Sequence, residues 1–177
     1  MKKELKISII TVTKNSEKYL EQNILSVNNQ SYKNYEHIII DGNSTDQTKN
    51  IIIKHKEKIT YWTSESDQGL YFAMNKGIEK ANGDIIGILN SDDFFYPEAL
   101  HTVNKYFIAD EKLDFLFGTV YKHKLMQGYE PKKIKWTFGF YTTHSVGFFI
   151  KSTAQKKIGY YDTQYKWSAD YDLFYKM

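Results

Sequence analysis

Four consecutive residues, Asn90, Ser91, Asp92 and Asp93, gather an amide, a hydroxyl and two carboxylates within one turn of chain. Oxygen donors of this kind suit a hard divalent cation that carries a phosphorylated ligand. The plainer use of Ser91 and Asp92 is to cap the next helix, but a cap needs one acid and two adjacent acids repel. Other acids stand singly in turn-like settings: Asp41 before Gly42-Asn43-Ser44, Asp67 before Gln68-Gly69, and Asp170 after Ser168-Ala169. Asp41 could accept hydrogen bonds from a nucleobase or ribose, or serve as an ordinary turn acid. Asp170 could take a proton as a base, or cap the helix that begins there.

Such groups act only if rigid elements hold them. Asn90 follows Ile85, Ile86, Gly87, Ile88 and Leu89, a short apolar run bounded by turn residues. That is the pattern of a strand buried on both faces of a helix-covered parallel sheet. Ligands of open α/β sheets bind in the crevice beyond the C-terminal ends of the strands, which is where the four residues fall. Lys6 to Thr13 (KISIITVT), Tyr35 to Asp41 (YEHIIID) and Ile59 to Glu65 (ITYWTSE) read as three further strands. Between them lie helical patterns. Asn15 or Ser16 can cap a helix carrying Leu20, Ile24, Leu25 and Val27, and Ser44 with Gln47 forms a capping box ahead of Ile51, Ile52 and Ile53. Leu70 to Ala81 is a helix stopped by Asn82-Gly83, and Pro97 suits the first turn of a helix running to Phe107. Strand and helix thus alternate four times, which predicts a doubly wound α/β layer.

After Asp110 the pattern changes. Leu113 to Tyr121 is aromatic and strand-like; Lys122 to Lys135, with Gly128 and Pro131, reads as a loop or hairpin, and Trp136, Phe138, Phe140 and Tyr141 resume a strand pattern. Lys122, Lys124, Lys132, Lys133 and Lys135 would form a solvated face or meet phosphates or an anionic membrane surface. His144 to Ile150 is another strand, and Ser152 with Gln155 a capping box for a helix that stops at Gly159. A last helix starts near Trp167 to Leu173, and the sequence ends about two turns into it, which reads as a truncated chain.

Composition narrows the partners. The 177 residues fit one domain, and the N-terminal Lys residues precede an apolar run too short and too polar for a secretory signal. There is no cysteine, so thiolate metal sites and disulfides are excluded and a cytoplasmic protein is expected. A net charge of +3 is too mild to indicate nucleic acid. All 24 basic residues are Lys, consistent with compositional bias of the genome, so any phosphate must be held by Lys, backbone amides or a metal rather than by bidentate guanidinium groups.

Taken together, SIITVTKN, IIIDGNSTDQT, ESDQGLYFAMNKGIEKANGDIIGILNSDD, HSVGFF and GYYDTQYKWSADYDL make the chain resemble the family 2 glycosyltransferases. The resemblance implies the GT-A fold, a Rossmann-like three-layer sandwich with a mostly parallel central sheet and helices on both faces. It implies one domain over residues 1–177, with a nucleotide-sugar-binding half at 1–110 and an acceptor-side half at 111–177. By position, Thr11 and the chain around Val12 and Thr13 would border the nucleotide, Asp41 would accept from the base, and Asp67 would border the nucleotide-sugar. Asn90, Ser91 and Asp92 occupy the family's Asp-x-Asp motif, with Asn in place of its first acid, leaving Asp92 and Asp93 as metal and ribose contacts. Asp170 matches the catalytic base, preceded by Ala169 where the family often has Glu, and His144 aligns near the acceptor or diphosphate.

The implied reaction is inverting transfer of a sugar from a nucleotide diphosphate, UDP above all, to a glycan or lipid-linked acceptor, with Mg²⁺ or Mn²⁺ as cofactor. It implies a role in cell-surface polysaccharide synthesis, with peripheral association at the inner face of a membrane. Two alternatives stand beside it: a non-catalytic or truncated nucleotide-sugar-binding module, and a sugar nucleotidyltransferase. The absence of Gly from Thr11 to Ser16 argues against the second, which needs a Gly-rich loop for a triphosphate.

Overall fold

The computed structural model describes residues 4–122, 124–126 and 147–177. The expected alternation forms in order: β1 (Ile7–Thr13), α1 (Leu20–Asn28), β2 (Tyr35–Asp41), α2 (Thr48–Lys54), β3 (Tyr61–Ser64), α3 (Leu70–Lys80), β4 (Ile85–Ile88) and α4 (Ala99–Ala109). There follow β5 (Phe115–Phe117), a hairpin of β6 (Val120–Lys122) and β7 (Lys124–Met126), β8 (Phe148–Lys151), α5 (Ser152–Ile158) and α6 (Ala169–Tyr175).

Six strands make one sheet in the order β3-β2-β1-β4-β8-β5. β1 to β4 are parallel, while β8 runs antiparallel between β4 and β5. The chain winds outward from β1 through β2 to β3, then crosses back so that β4 lies on the other side of β1. The winding reverses between β1 and β4, and loops leaving the two strands part there to open a crevice.

The alternation in β1 explains the layers. Ile7 and Ile9 pack on one face with Val27 of α1 and with Leu100, Val103 and Phe107 of α4. Ile10 and Val12 pack on the other with Tyr71, Met74 and Ile78 of α3. Each fully buried Ile side chain contributes roughly 1.5–3 kcal/mol, so these two faces supply much of the stability. α3 lies unusually close to β1 because Gly77 has no side chain: a Cβ there would stand 2.3 Å from Cγ2 of Ile10. The C-terminal part shares this core, since Phe148, Ile150, Tyr161, Ala169, Leu173 and Phe174 pack in the same cluster as Ile10 and α3. Among the described residues no helix is long and apolar enough to cross a membrane.

Three helix caps differ from expectation. None of α1, α2 and α5 is capped by a side chain, and α1 starts at Leu20, several residues beyond Asn15 and Ser16. Asn15 adopts a positive φ of 52° and uses its side-chain oxygen to accept from the Thr45 amide, while Ser16 contacts Ser91 across the sheet. Ser44 turns back to Asp41, and Gln155 donates to the Gly159 carbonyl at the far end of α5. Tertiary partners outcompete the local cap at Asn15 and Ser16, and other nearby groups do so at Ser44 and Gln155. α4 begins at Ala99 rather than Pro97. Lys132, Lys133, Lys135, Trp136, Phe138, Phe140, Tyr141 and His144 lie outside the described residues.

Candidate active site

The turn Asn90 to Asp93 is held from beneath. Asn23 sits among the buried residues of α1 and donates both amide hydrogens, to the carbonyls of Asn90 at 2.9 Å and Asp93 at 3.0 Å. Its own Oδ1 accepts from the Thr11 hydroxyl at 3.1 Å, and that hydroxyl oxygen lies 3.0 Å from Nε2 of His37. Because the Thr11 proton is committed to Asn23, His37 carries its hydrogen on Nε2. Nδ1 is then a buried acceptor without a partner among the described residues. Complete burial drives the imidazole pKa down to about 3, so the ring is neutral. Asp93 closes the turn by donating its backbone amide hydrogen to the Asn90 carbonyl at 3.0 Å.

The loops leaving β1 and β2 are laced to each other. Ser44 donates its hydroxyl to Oδ1 of Asp41 and accepts from the Asn15 amide at 2.8 Å. Asp41 also receives the Ser44 amide at 3.1 Å and the Ser64 hydroxyl at 2.5 Å. Thr48 accepts from the Ser16 amide at 2.8 Å, and Asn43 turns the β2 loop with a φ of 59°. Gly42 passes beneath Asp67: a Cβ at Gly42 would lie 2.8 Å from Oδ2 of Asp67, so any larger residue there would have to displace that carboxylate.

Above these loops lies a cavity of about 800 Å³ at the C-terminal ends of β1 and β4. Val12, Thr13, Lys14 and Ser16 form its floor, Asp67 to Ala73 one wall, Asn90 to Asp92 another, and Thr163, Tyr165, Lys166 and Trp167 its far side. The structure therefore brings together Thr13, Asp67, Asn90 and Asp92 from three separated stretches of chain. Two of their atoms are buried polar groups without partners among the described residues, the Thr13 hydroxyl and Oδ1 of Asn90. Thr11 and Asp41 are fully buried and do not line this cavity, and the Asp93 carboxylate stands 3.5 Å from the Asn90 amide nitrogen.

Asp170 opens onto a smaller cavity of about 60 Å³, bounded also by Tyr71, Asn90 and Tyr161. Leu70, Tyr71 and Asn90 line both cavities, so they form the partition between them. Asp170 lies in the first turn of α6 behind Ser168, and its Oδ1 accepts from the Tyr71 hydroxyl at 3.2 Å and from the Tyr171 amide at 3.0 Å. Burial and the adjacent Asp170 carboxylate push the Tyr71 hydroxyl up to about 12. Burial raises Tyr161 as well, with Asp170 and Tyr71 adding to the effect.

Sequence reasoning passed over Tyr71, Asn23, Lys14 and the Tyr165–Trp167 segment. Asn23 carried a usable signal, being a polar residue on the face of α1 that also buries Leu20, Ile24 and Val27. Tyr71 carried none, because an aromatic at the start of an amphipathic helix is ordinarily core.

A switch-point crevice lined by carboxylates defines a ligand-binding α/β protein, and comparison with known proteins identifies which. The model of Glycosyl transferase family 2 matches residues 8–168. An uncharacterised glycosyltransferase of Rickettsia typhi is 31% identical over 96% of this chain and 58% of its own length. The GalNAc(5)-diNAcBac-PP-undecaprenol beta-1,3-glucosyltransferase of Campylobacter jejuni is 33% identical over 64% of this chain and 37% of its own. Among solved structures, S. aureus TarS 1-349 in complex with UDP-GlcNAc superposes with a TM-score of 0.77 at 24% identity, over 97% of this chain and 52% of that one. The chain belongs to glycosyl transferase family 2, and its fold is the GT-A type. It spans little more than half of the Rickettsia relative and of TarS 1-349.

Proposed function

We propose that this chain transfers a sugar from a nucleotide diphosphate, with UDP as the nucleotide, to a glycan or lipid-linked acceptor with inversion at the anomeric carbon. The observation that carries the proposal is the convergence of Thr13, Asp67, Asn90 and Asp92 on one 800 Å³ cavity at the switch point of a family 2 chain. The unpartnered Thr13 hydroxyl and Asn90 oxygen are the groups that a bound donor would satisfy. Among the described residues Lys14 and Lys166 are the cationic side chains that line the cavity, where they would offset the charge of a bound diphosphate.

A divalent cation, Mg²⁺ or Mn²⁺, fits this donor set. Among the described residues no group of three or more His, Cys, Asp or Glu gathers to hold a metal alone. Such an ion needs only one or two carboxylates when substrate phosphates supply the rest. Asp92 lines the cavity and would be that ligand, and Asp93 beside it holds the Asn90 amide and completes the acidic turn. When bound, the cation neutralises charge on the departing diphosphate. Asn23 keeps the turn in place by gripping two of its carbonyls. Asp41 acts through its loop, since its carboxylate is occupied by Ser44 and Ser64.

Asp170 is the general base of this reading. It takes the proton of the acceptor hydroxyl as that oxygen attacks the anomeric carbon and the bond to the diphosphate breaks. His144, outside the described residues, stays with the acceptor or diphosphate by its position in the sequence. A lipid-linked acceptor agrees with the undecaprenol named for the Campylobacter relative, and it would bring the protein to a membrane surface.

Calorimetric titration of UDP, GDP, dTDP and CMP, each with Mn²⁺ and then with EDTA, tests the donor site. UDP binding that requires Mn²⁺ and disappears in Asp92→Ala supports the reading. Equal binding with EDTA removes the metal from it, and binding of a different nucleotide alone replaces UDP.

A further inference from the structure

α3 reaches from the donor cavity to Asp170 through two side chains one helical turn apart, Tyr71 and Asn75. Asn75 clasps the backbone of Tyr161, donating to its carbonyl at 2.9 Å and accepting from its amide at 2.9 Å. The rings of Tyr71 and Tyr161 stack with centroids 5.4 Å apart. The Tyr71 hydroxyl then ends on Oδ1 of Asp170, the same oxygen that accepts from the Tyr171 amide. Among the described residues Oδ2 has no hydrogen-bond partner, so the two carboxylate oxygens are inequivalent.

We propose that Tyr71 is a positioning residue: it pins Oδ1 of Asp170 so that Oδ2 is presented as the proton-accepting oxygen. The inference rests on the reading of Asp170 as general base. The acceptor proton passes to Oδ2, and Tyr71 keeps its own proton throughout, since its hydroxyl titrates far above neutrality. The start of α3 also carries Gly69 and Leu70 on the donor cavity wall, so one helix fixes the base relative to the donor. The titratable groups facing Asp170 among the described residues are Tyr71 on α3 and Tyr161 on the loop before α6. Asp172 lies on its own helix, paired with Lys176 at 2.5 Å, and Asp92 and Lys166 lie in the larger cavity. A hydrogen bond to a carboxylate stabilises its charged form, so removing it raises the pKa.

The test follows the carboxyl carbon of Asp170 by NMR in ¹³C-aspartate-labelled protein, the signal being assigned by its loss in Asp170→Asn. Tyr71→Phe should raise its titration midpoint and lower Mn²⁺-dependent UDP-GlcNAc hydrolysis roughly tenfold, the scale of one hydrogen bond to a charged group. Placing 3,5-difluorotyrosine at position 71 keeps the ring and strengthens the donor, so the midpoint should fall. A purely structural tyrosine would move neither midpoint, and unmoved midpoints in both variants overturn the proposal. If Asp170→Asn hydrolyses UDP-GlcNAc at the wild-type rate, the base assignment itself fails, whatever Tyr71 does to the titration.

Discussion

Asp41 and Asp170 are both carboxylates that the sequence marks for function, yet the structure treats them oppositely. Asp41 is fully buried at the end of β2, with the Ser44 amide and the hydroxyls of Ser44 and Ser64 donating to it. Asp170, at the start of α6, is only partly buried, and its hydrogen bonds converge on one oxygen. A carboxylate whose lone pairs are served by fixed donors organises its neighbours. One with an oxygen left over can exchange a proton with a ligand. The same contrast runs through the two sides of the site: the loops after β1 and β2 are laced by side chains, while the segment before α6 shows Trp167 81% exposed at the cavity rim.

Substitutions at the two acids should separate these roles. Asp170→Asn should lower sugar-nucleotide turnover by ~10²–10⁴-fold, the usual worth of a general base, while its urea midpoint stays at the wild-type value. Asp41→Ala should do the reverse in kind: loss of a buried carboxylate that receives three donors should cost about 3 kcal/mol in urea denaturation. Equal destabilisation by both would erase the contrast.

The buried polar chain beneath the site gives a pH signature. His37 titrates near 3 when folded, because burial disfavours its charged form, whereas the unfolded chain takes up that proton near 6.5. Its contribution is therefore complete above about pH 6.5 and declines as the pH falls toward 3, at no more than about 1.4 kcal/mol per pH unit. Between about pH 6 and 5 the carboxylates contribute little, and His37→Phe should flatten the urea-midpoint profile there. The smallest effect belongs to the exposed side: Trp167→Ala should change stability by less than about 0.5 kcal/mol, measured by the same denaturation.

The contrast also explains what the sequence made legible. Apolar runs such as Ile38 to Ile40 and Ile85 to Ile88 gave the strands and their order of appearance, because short β-branched runs bounded by turn residues mark strands of a helix-covered sheet. β2 emerged with the predicted bounds, Tyr35 to Asp41. The side chains between elements were harder. Asn15, Ser16 and Ser44 fit helix-cap grammar, yet each is used by a partner about 30 or more residues away or by Asp41, and no local pattern records such distances. For the site, motif order pointed to Asp92 and Asp170, and the structure sets both on cavities. Burial of Thr11 and Asp41 could not be told from spacing, since an acid at a strand end points outward or inward according to its neighbours.

The most direct measurement is a crystal structure of the chain with UDP and Mn²⁺. The account predicts the nucleotide in the cavity between β1 and β4, with the metal about 2.1–2.2 Å from an Asp92 carboxylate oxygen and a nucleotide atom in hydrogen-bond reach of the Thr13 hydroxyl. A nucleotide bound elsewhere, or a metal held without Asp92, would contradict it.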